Sequence, residues 1–312
     1  MDIRRIAFRT AAALLISGLL LALLVRVADI EWRDFAEVSP GGFALVLAFH
    51  LLLLVTRGIL MSQLARCGEG HLASHRAWIR LAARHQFLFT ILPTGLGDLL
   101  FPALARRLVG HSAASGFAVI VQMRARDLIV LPAFALAGGL WISGLEWLGV
   151  AVALTAAPAL FFADKLFRIA LEILRKPLPE GRIAGFLETA AGPGPAGPPE
   201  RLRLAATSLL IWILATCAVL AAFSAIDEPV SVGVAVLFLA GINFFGALAL
   251  SIGGLGVAEA GGAAALVLAN RGVKSASALA LVVRPMLLVS MLAASLLVDF
   301  VLTIDKRFGS RI

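Results

Sequence analysis

Five ionisable residues lie within apolar stretches of this sequence, and their chemistry is the first clue to what the chain does. They are two aspartates, a glutamate and two arginines: Asp98, Arg124, Asp127, Glu259 and Arg284. An ionised side chain in lipid is costly unless it faces protein, a partner charge or a water-filled cavity. Carboxylates attract cationic groups and arginines bind phosphate. These residues are therefore candidates for binding a charged substrate group, and buried structural ion pairs are the alternative.

Glu259 lies in a stretch otherwise made of glycine, alanine, other aliphatic residues and one serine, SIGGLGVAEAGGAAALVL from Ser251 to Leu268. Gly253, Gly254 and Gly256 come just before the glutamate. Glycine weakens a helix and lets backbones approach closely. Broken backbone at membrane depth is tolerated only where it is buried in protein or lines a cavity. This stretch is therefore predicted to form an interior site.

A second broken stretch, FLFTILPTGLGDLLFPAL from Phe87 to Leu104, carries Asp98. It is apolar, but Pro93, Gly95 and Gly97 divide it into pieces too short to cross a bilayer. Basic residues flank it on both sides, which is typical of cytoplasmic segments. We predict a re-entrant hairpin that enters and leaves from the cytoplasm, with Asp98 at its tip.

The long apolar segment Ser115–Leu140 contains Arg124 close to mid-membrane, since a helix rises 1.5 Å per residue. Arg124 and Asp127 are three residues apart and share a helix face. Arg126 points away from Arg124 and is expected to pair elsewhere. As structural alternatives, Arg124 would pair with Asp127 or Asp98, and Arg284 with Glu259.

The composition identifies a polytopic membrane protein. The 312 residues are 61% hydrophobic, only 15% charged, and have a mean hydropathy of +0.98, whereas a soluble domain carries about 25% charged residues. The net charge of +8 fits basic cytoplasmic loops. Nucleic-acid binding is not indicated, because the basic residues flank apolar spans without aromatic interleaving.

Cys67 and Cys217 support no disulfide framework. His71 and His75 have metal-ligand spacing but no evident third ligand, so no metal is predicted.

We predict an all-α fold with about seven to eight transmembrane helices plus one or two glycine-broken re-entrant segments. The basic N-terminus is expected in the cytoplasm. Residues 1–312 form a single membrane domain: a first half (1–164), a basic, Pro/Gly-rich cytoplasmic loop (165–203) and a second half (204–312). Two points stay open, namely the side of the C-terminus and whether the second glycine-rich segment spans or re-enters. The predicted spans are Ala11–Val25, Gly42–Leu60, Ser115–Leu140, Trp147–Ala163, Leu204–Phe223, Val230–Leu250 and Ala276–Leu302.

The two halves also resemble each other. Gly-Leu-Gly occurs in both broken stretches with a carboxylate close behind, Asp98 in one and Glu259 in the other. In each half a long helix follows that carries an intramembrane arginine, Arg124 or Arg284. Paired glycine-broken segments at corresponding positions of two halves point to a transport site.

These motifs together resemble the lysylphosphatidylglycerol synthase transmembrane-region family, also described as flippase-like integral membrane proteins. The resemblance covers nearly the whole chain and rests on PTGLGD at Pro93–Asp98, Arg124-x-x-Asp127, GGLGVAEA at Gly253–Ala260 and the helix bearing Arg284. It implies a bacterial inner-membrane protein that moves or handles lipids with polar headgroups. In well-known members this unit is fused to an aminoacyl-transferase domain. The 312 residues contain no such domain, so synthesis of an aminoacylated lipid is not implied.

Two departures from the family pattern concern headgroup binding. An arginine often follows the Gly-Asp pair closely, whereas Phe101 and Pro102 stand there in this chain. The residue before Arg124 is often acidic, and here it is Met123. The cargo therefore stays open among phospholipids, glycolipids and isoprenoid or hopanoid lipids.

The expected function is a lipid flippase with a charged intramembrane cavity, without enzymatic activity or cofactors. Membrane lipids are the expected partners. No Walker motif is present, so movement would be passive or coupled to ions or protons. One alternative is a non-catalytic scaffold that contacts lipid-biosynthesis enzymes. The other is an intramembrane lipid-modifying enzyme, although no nucleophile or metal set supports it.

Overall fold

The architecture comes from a computed structural model of the chain, which describes residues 38–66, 73–92, 95–175, 194–195, 197–248 and 254–308 and a few residues between 18 and 26. The elements in these ranges are α-helices, with no β-strand among them. In chain order they are α1 (Pro40–Arg66), α2 (His75–Ile91), α3 (Leu96–Val109), α4 (Ala113–Ile142), α5 (Glu146–Phe161), α6 (Ala163–Arg175), α7 (Pro198–Ser224), α8 (Val232–Leu248), α9 (Val257–Leu268) and α10 (Val273–Phe308).

Four helices, α1, α4, α7 and α10, are long and apolar enough to cross a membrane. Helices α5 and α6 form a fifth candidate, broken by a bend of 75°. The remaining helices have 17 residues or fewer, at or below the shortest length that crosses a bilayer. The all-α membrane class is confirmed. The count of seven to eight crossings stays a prediction, since most of the predicted span 11–25 lies outside the described residues.

Glycines in the left-handed region start the two short helices α3 and α9. Gly95, just before α3, has φ 87°, and Gly256, just before α9, has φ 83°. Residues with a side chain rarely adopt these angles because the Cβ atom crowds the following carbonyl. The glycine-rich stretches of the sequence thus fix the points at which α3 and α9 begin.

The helices form two corresponding sets, α1–α4 and α7–α10, linked by α5 and α6. In order, the paired helices have 27 and 27, 17 and 17, 14 and 12, and 30 and 36 residues. Their packing also corresponds, because α4 packs on α8 and α10 packs on α2. The architecture therefore agrees with the repeat inferred from the Gly-Leu-Gly motifs.

The two sets run in opposite directions. Helices α1 and α7 are neighbours, and the Ser39 amide before α1 donates a 2.8 Å hydrogen bond to the Ala225 carbonyl after α7. At the other end, Leu64 of α1 and Leu204 of α7 belong to the same buried apolar cluster. Since α1 and α7 occupy equivalent places in their sets and are antiparallel, the fold is an inverted repeat, an arrangement common in transporters.

Two apolar clusters hold the sets together. One contains Trp78 of α2 and Phe101 of α3, and the other contains Phe223 of α7 and Phe238 of α8, all with 2% exposure or less. Phe223 and Phe238 pack edge to face with ring centroids 5.1 Å apart, a favoured aromatic geometry. The charged residues discussed below are therefore held by helices that are packed on both sides.

Two boundaries near the first set differ from the sequence prediction. Helix α1 continues six residues past Leu60, so Arg57 lies inside the helix rather than near its end. The basic residues of 75–84 are typical of a segment on the membrane surface, yet this segment forms the start of α2, where Trp78 and Leu81 are buried. The basic residues of this segment masked a face that packs against α1 and α10.

The predicted loop 165–203 is shorter than expected at both ends. Helix α6 continues to Arg175 and exposes Ile169 and Ile173. Helix α7 begins at Pro198 rather than Leu204, since proline is well suited to a first helical position. Most of the Pro/Gly-rich middle lies outside the described residues.

Candidate functional site

The first site is built around Asp98 in the first turn of α3. The Arg124 guanidinium of α4 donates to both carboxylate oxygens, through Nε to Oδ2 at 2.8 Å and Nη2 to Oδ1 at 2.8 Å. Arg124 Nη1 also donates to Asp127 Oδ2 at 3.1 Å. One guanidinium thus binds two carboxylates, because its planar fork offers five donors. Both pairings predicted for Arg124 occur together.

Helix α2 completes this site with two residues that the sequence did not single out. His85 is 3% exposed, and its Nε2 lies 2.9 Å from Asp98 Oδ1; the tautomer with a proton on Nε2 donates this bond. The Arg124 guanidinium lies over the Phe89 ring at 4.7 Å from its centroid, within the range of a cation–π contact. His85 and Phe89 are four residues apart, so their side chains lie on the same face of α2. This spacing is the signal in the sequence that relates the two residues.

The first site is open to its surroundings in part. The side chains of Asp98, Arg124 and Asp127 are 25%, 34% and 30% exposed. The packed helices thus leave part of each side chain accessible. A charged group that reaches the site can therefore compete for either side of the pair.

The second site is built around Glu259 and is closed. Glu259 is 0% exposed, and its Oε2 accepts a 2.6 Å hydrogen bond from the Gly256 amide. This is the glutamate half of a capping box, in which the third helical residue reaches back to the N-cap amide. The other oxygen, Oε1, is buried and has no hydrogen-bond partner among the described residues. Arg284 of α10 exerts the main charge attraction on Glu259.

The two sites occupy equivalent positions in the inverted repeat. Asp98 is the third residue of α3, and Glu259 is the third residue of α9. Arg124 and Arg284 each stand eleven residues after the first residue of α4 and α10. The repeat therefore places a carboxylate and an arginine of each half in matching locations, one pair open and one closed.

The predicted hinge glycines divide into two groups. Gly95, Gly254 and Gly256 have positive φ angles of 87°, 76° and 83° and make the turns. Gly97 lies inside α3, where a Cβ atom would stand 2.6 Å from the Phe89 Cα atom, so it permits close packing of α2 and α3. Pro93 and Gly253 lie outside the described residues.

The described residues contain no cluster of three His, Cys, Asp or Glu side chains that could hold a metal ion. His75 contacts Arg66 Nη2 at 2.9 Å and Ser62 Oγ at 3.2 Å, and His71 lies outside the described residues. Arg126 donates to the Leu160 carbonyl at 3.3 Å, which agrees with its predicted direction away from Arg124.

Comparison with known proteins identifies the family of the chain. The model of the family described as lysylphosphatidylglycerol synthase TM region matches residues 10–294. The chain belongs to this family. The match covers both halves of the repeat, including all five candidate charged residues. No curated protein and no solved structure matches the chain. Membership indicates a membrane protein related to lipid modification or flippase-like activity.

Proposed function

We propose that this protein moves lipids with polar headgroups between the leaflets of the bacterial inner membrane, without modifying them chemically. The observation that carries the proposal is the pair of equivalent carboxylate–arginine sites in an inverted repeat. Ionisable groups are retained in apolar helices where they serve a substrate or ion pathway. Glycine-broken half-helices at matching positions of two repeats mark the substrate site of many transporters.

The partly exposed first site is where a headgroup enters in this proposal. A phosphate would compete with Asp98 for Arg124, and a cationic group would compete with Arg124 for Asp98 or Asp127. The acyl chains remain in lipid while only the headgroup passes through the charged region. The closed second site, with Glu259 sealed, would open when the first one closes.

The inverted repeat also gives the proposal a membrane topology. With α2–α3 as a hairpin from the cytoplasmic side, α4 and α5 make two crossings, and α7 then crosses in the direction opposite to α1. Helices α8 and α9 form the matching hairpin from the outer side, and α10 returns the C-terminus to the cytoplasm. Both the N-terminus and the basic tail then obey the positive-inside rule.

The test is lipid movement by purified protein in liposomes that contain a fluorescent phospholipid. Dithionite quenches the outer leaflet at once, so a flippase exposes the inner pool to quenching. We expect the wild type to quench the inner pool and Glu259→Gln to lose this activity, while Arg107→Gln on the exposed face of α3 retains it. Mass spectrometry of the recovered lipid should show no chemical change. If neither wild type nor variant differs from empty liposomes with phospholipid and glycolipid probes, the proposal fails.

A further inference from the structure

Arg57 is an arginine inside the membrane-length helix α1 that is paired with a neutral group. It lies nine residues before the end of α1 at Arg66, and its Nη1 donates to Oε1 of Gln86 on α2. None of the ion pairs found among the described residues includes Arg57. A cation at such a depth normally pairs with a carboxylate or serves a pathway.

The electrostatic surroundings of Arg57 belong to the first site. Asp127 and Asp98 attract it, and Arg124 repels it. Both carboxylates are already bound by Arg124 at 2.8–3.1 Å. The guanidinium of Arg57 has five donor hydrogens, of which the bond to Gln86 uses one. Arg57 therefore adds a positive charge at this site that is not tied to a carboxylate.

Arg57 and His50 lie on the same face of α1, with the buried leucines Leu53 and Leu54 between them. His50 is seven residues earlier on the same face, about 10 Å along the helix. It is 5% exposed, and its Nδ1 lies 2.7 Å from Ser290 Oγ on α10. Arg57 and Arg284 are the two positive charges that repel a proton on His50. Arg57 and Arg284 thus both act on His50, which contacts α10 through Ser290.

We propose that Arg57 binds the phosphate of a phosphodiester-bearing lipid headgroup at the first site. This inference rests on the proposed function and specifies its substrate class. Arginine binds phosphate oxygens through two parallel hydrogen bonds, and the amide of Gln86 holds Arg57 without neutralising it. Arg124 binds only Oδ2 of Asp127, so the other oxygen, Oδ1, can accept from the hydroxyl or ammonium part of the same headgroup.

The test is lipid binding measured by native mass spectrometry on the full chain in detergent, with phosphatidylglycerol and a phosphate-free diacylglycerol glycolipid offered together. We expect the wild type to retain phosphatidylglycerol and Arg57→Gln to bind it about tenfold more weakly, the loss expected for one charge-assisted interaction. Arg57→Lys should lie between them, because an ammonium keeps the charge but loses the fork. Arg107→Gln is the matched control and should bind like the wild type.

The outcomes separate this inference from the proposed function. Equal retention of phosphatidylglycerol by the wild type and Arg57→Gln, with equal melting temperatures, overturns the inference. A melting-temperature rise with inorganic phosphate that is absent with phosphatidylglycerol overturns the lipid source and indicates free phosphate instead. Arg57-dependent binding without movement in liposomes supports the inference while the transport proposal fails. Movement by the wild type and by Arg57→Gln at equal rates overturns the inference while transport stands.

Discussion

The two halves of the molecule place a carboxylate at the same helical position and satisfy it in opposite ways. Asp98 binds a side chain, the Arg124 guanidinium, and stays 25% exposed. Glu259 binds the backbone, the Gly256 amide, and is fully buried. The side chain that is one methylene longer can fold back on its own helix start, whereas Asp98 reaches across to α4. The repeat thus keeps the location of the charge, and the local chemistry decides whether it is reachable.

The two interfaces between the halves also differ in chemistry, one being charged and the other closely packed. Where α2 meets α10, Arg80 and Arg84 bind Asp299 with nitrogen–oxygen distances of 2.8 Å. At the equivalent place on α4 and α8, Gly138 packs against Leu237, with no room for a Cβ atom. Arg80 and Leu237 are each the sixth residue of their helix. One interface is therefore polar and separable, and the other is closely packed.

The largest effect is expected from Arg124→Gln. The change leaves Asp98 and Asp127 facing each other without their shared cation. Breaking a fully buried pair costs about 3–5 kcal/mol, and the partial exposure of this site lowers that cost. We expect a lower thermal unfolding midpoint in detergent and loss of lipid movement in liposomes. A double variant, Asp98→Asn with Arg124→Gln, should recover stability but not movement. If Arg124→Gln moves lipid at the wild-type rate, the first site is not on the pathway.

The second prediction compares Asp98→Asn with Glu259→Gln. The first change removes a two-bond charged contact with Arg124, so it should destabilise the protein by about 1.5–3 kcal/mol, the value of a hydrogen bond to a charged group. In Glu259→Gln the amide oxygen still accepts from Gly256, and the gain from removing a buried charge opposes the lost attraction to Arg284. We expect its unfolding midpoint to change little, although lipid movement is lost. Equal destabilisation by the two variants would contradict the distinction between an ion-paired and a capped site.

The third prediction concerns two adjacent glycines at the closely packed interface. A Cβ atom on Gly138 would lie 2.8 Å from Leu237 Cβ and 2.9 Å from the Gly233 carbonyl oxygen. Gly138→Ala should therefore cost about 1–3 kcal/mol through overpacking. Gly139 has nothing within 4 Å of the same position, so Gly139→Ala should be neutral or slightly stabilising. Unfolding midpoints of the two variants provide the measurement, and similar values would show that this interface yields easily.

The sequence predicts the charges of the sites better than it predicts their partners. Asp98, Glu259 and the two arginines stand out because ionisable residues are rare in apolar runs. The glycine turns stand out because clustered glycines interrupt these runs. His85 and Gln86 were missed because they stand between a basic segment that ends at Arg84 and the broken stretch that begins at Phe87. Their role depends on α2 folding back on α3, which is a tertiary contact.

The difference between the two carboxylates also contained a local signal. Gly256 and Glu259 have the spacing of a capping box, which the sequence shows directly. The partner predicted for Glu259 was instead Arg284, because a residue of opposite charge was the more obvious choice. The contacts of Asp299 with Arg80 and Arg84 join residues more than 200 positions apart, and no local pattern identifies them.

The smallest effect is expected from Asp299→Asn at the polar interface. Ion pairs with this exposure contribute about 1 kcal/mol or less, and salt screens them. We therefore expect a small decrease of the unfolding midpoint at low salt that disappears at high salt. Hydrogen exchange should increase in α2 and in the C-terminal part of α10, because Asp299 joins these two helices. It should stay unchanged in α4 and α8, whose contact is made by glycines. An equal increase in both pairs of helices would mean that the two interfaces open together, and the contrast between a separable and a fixed side of the repeat would be wrong.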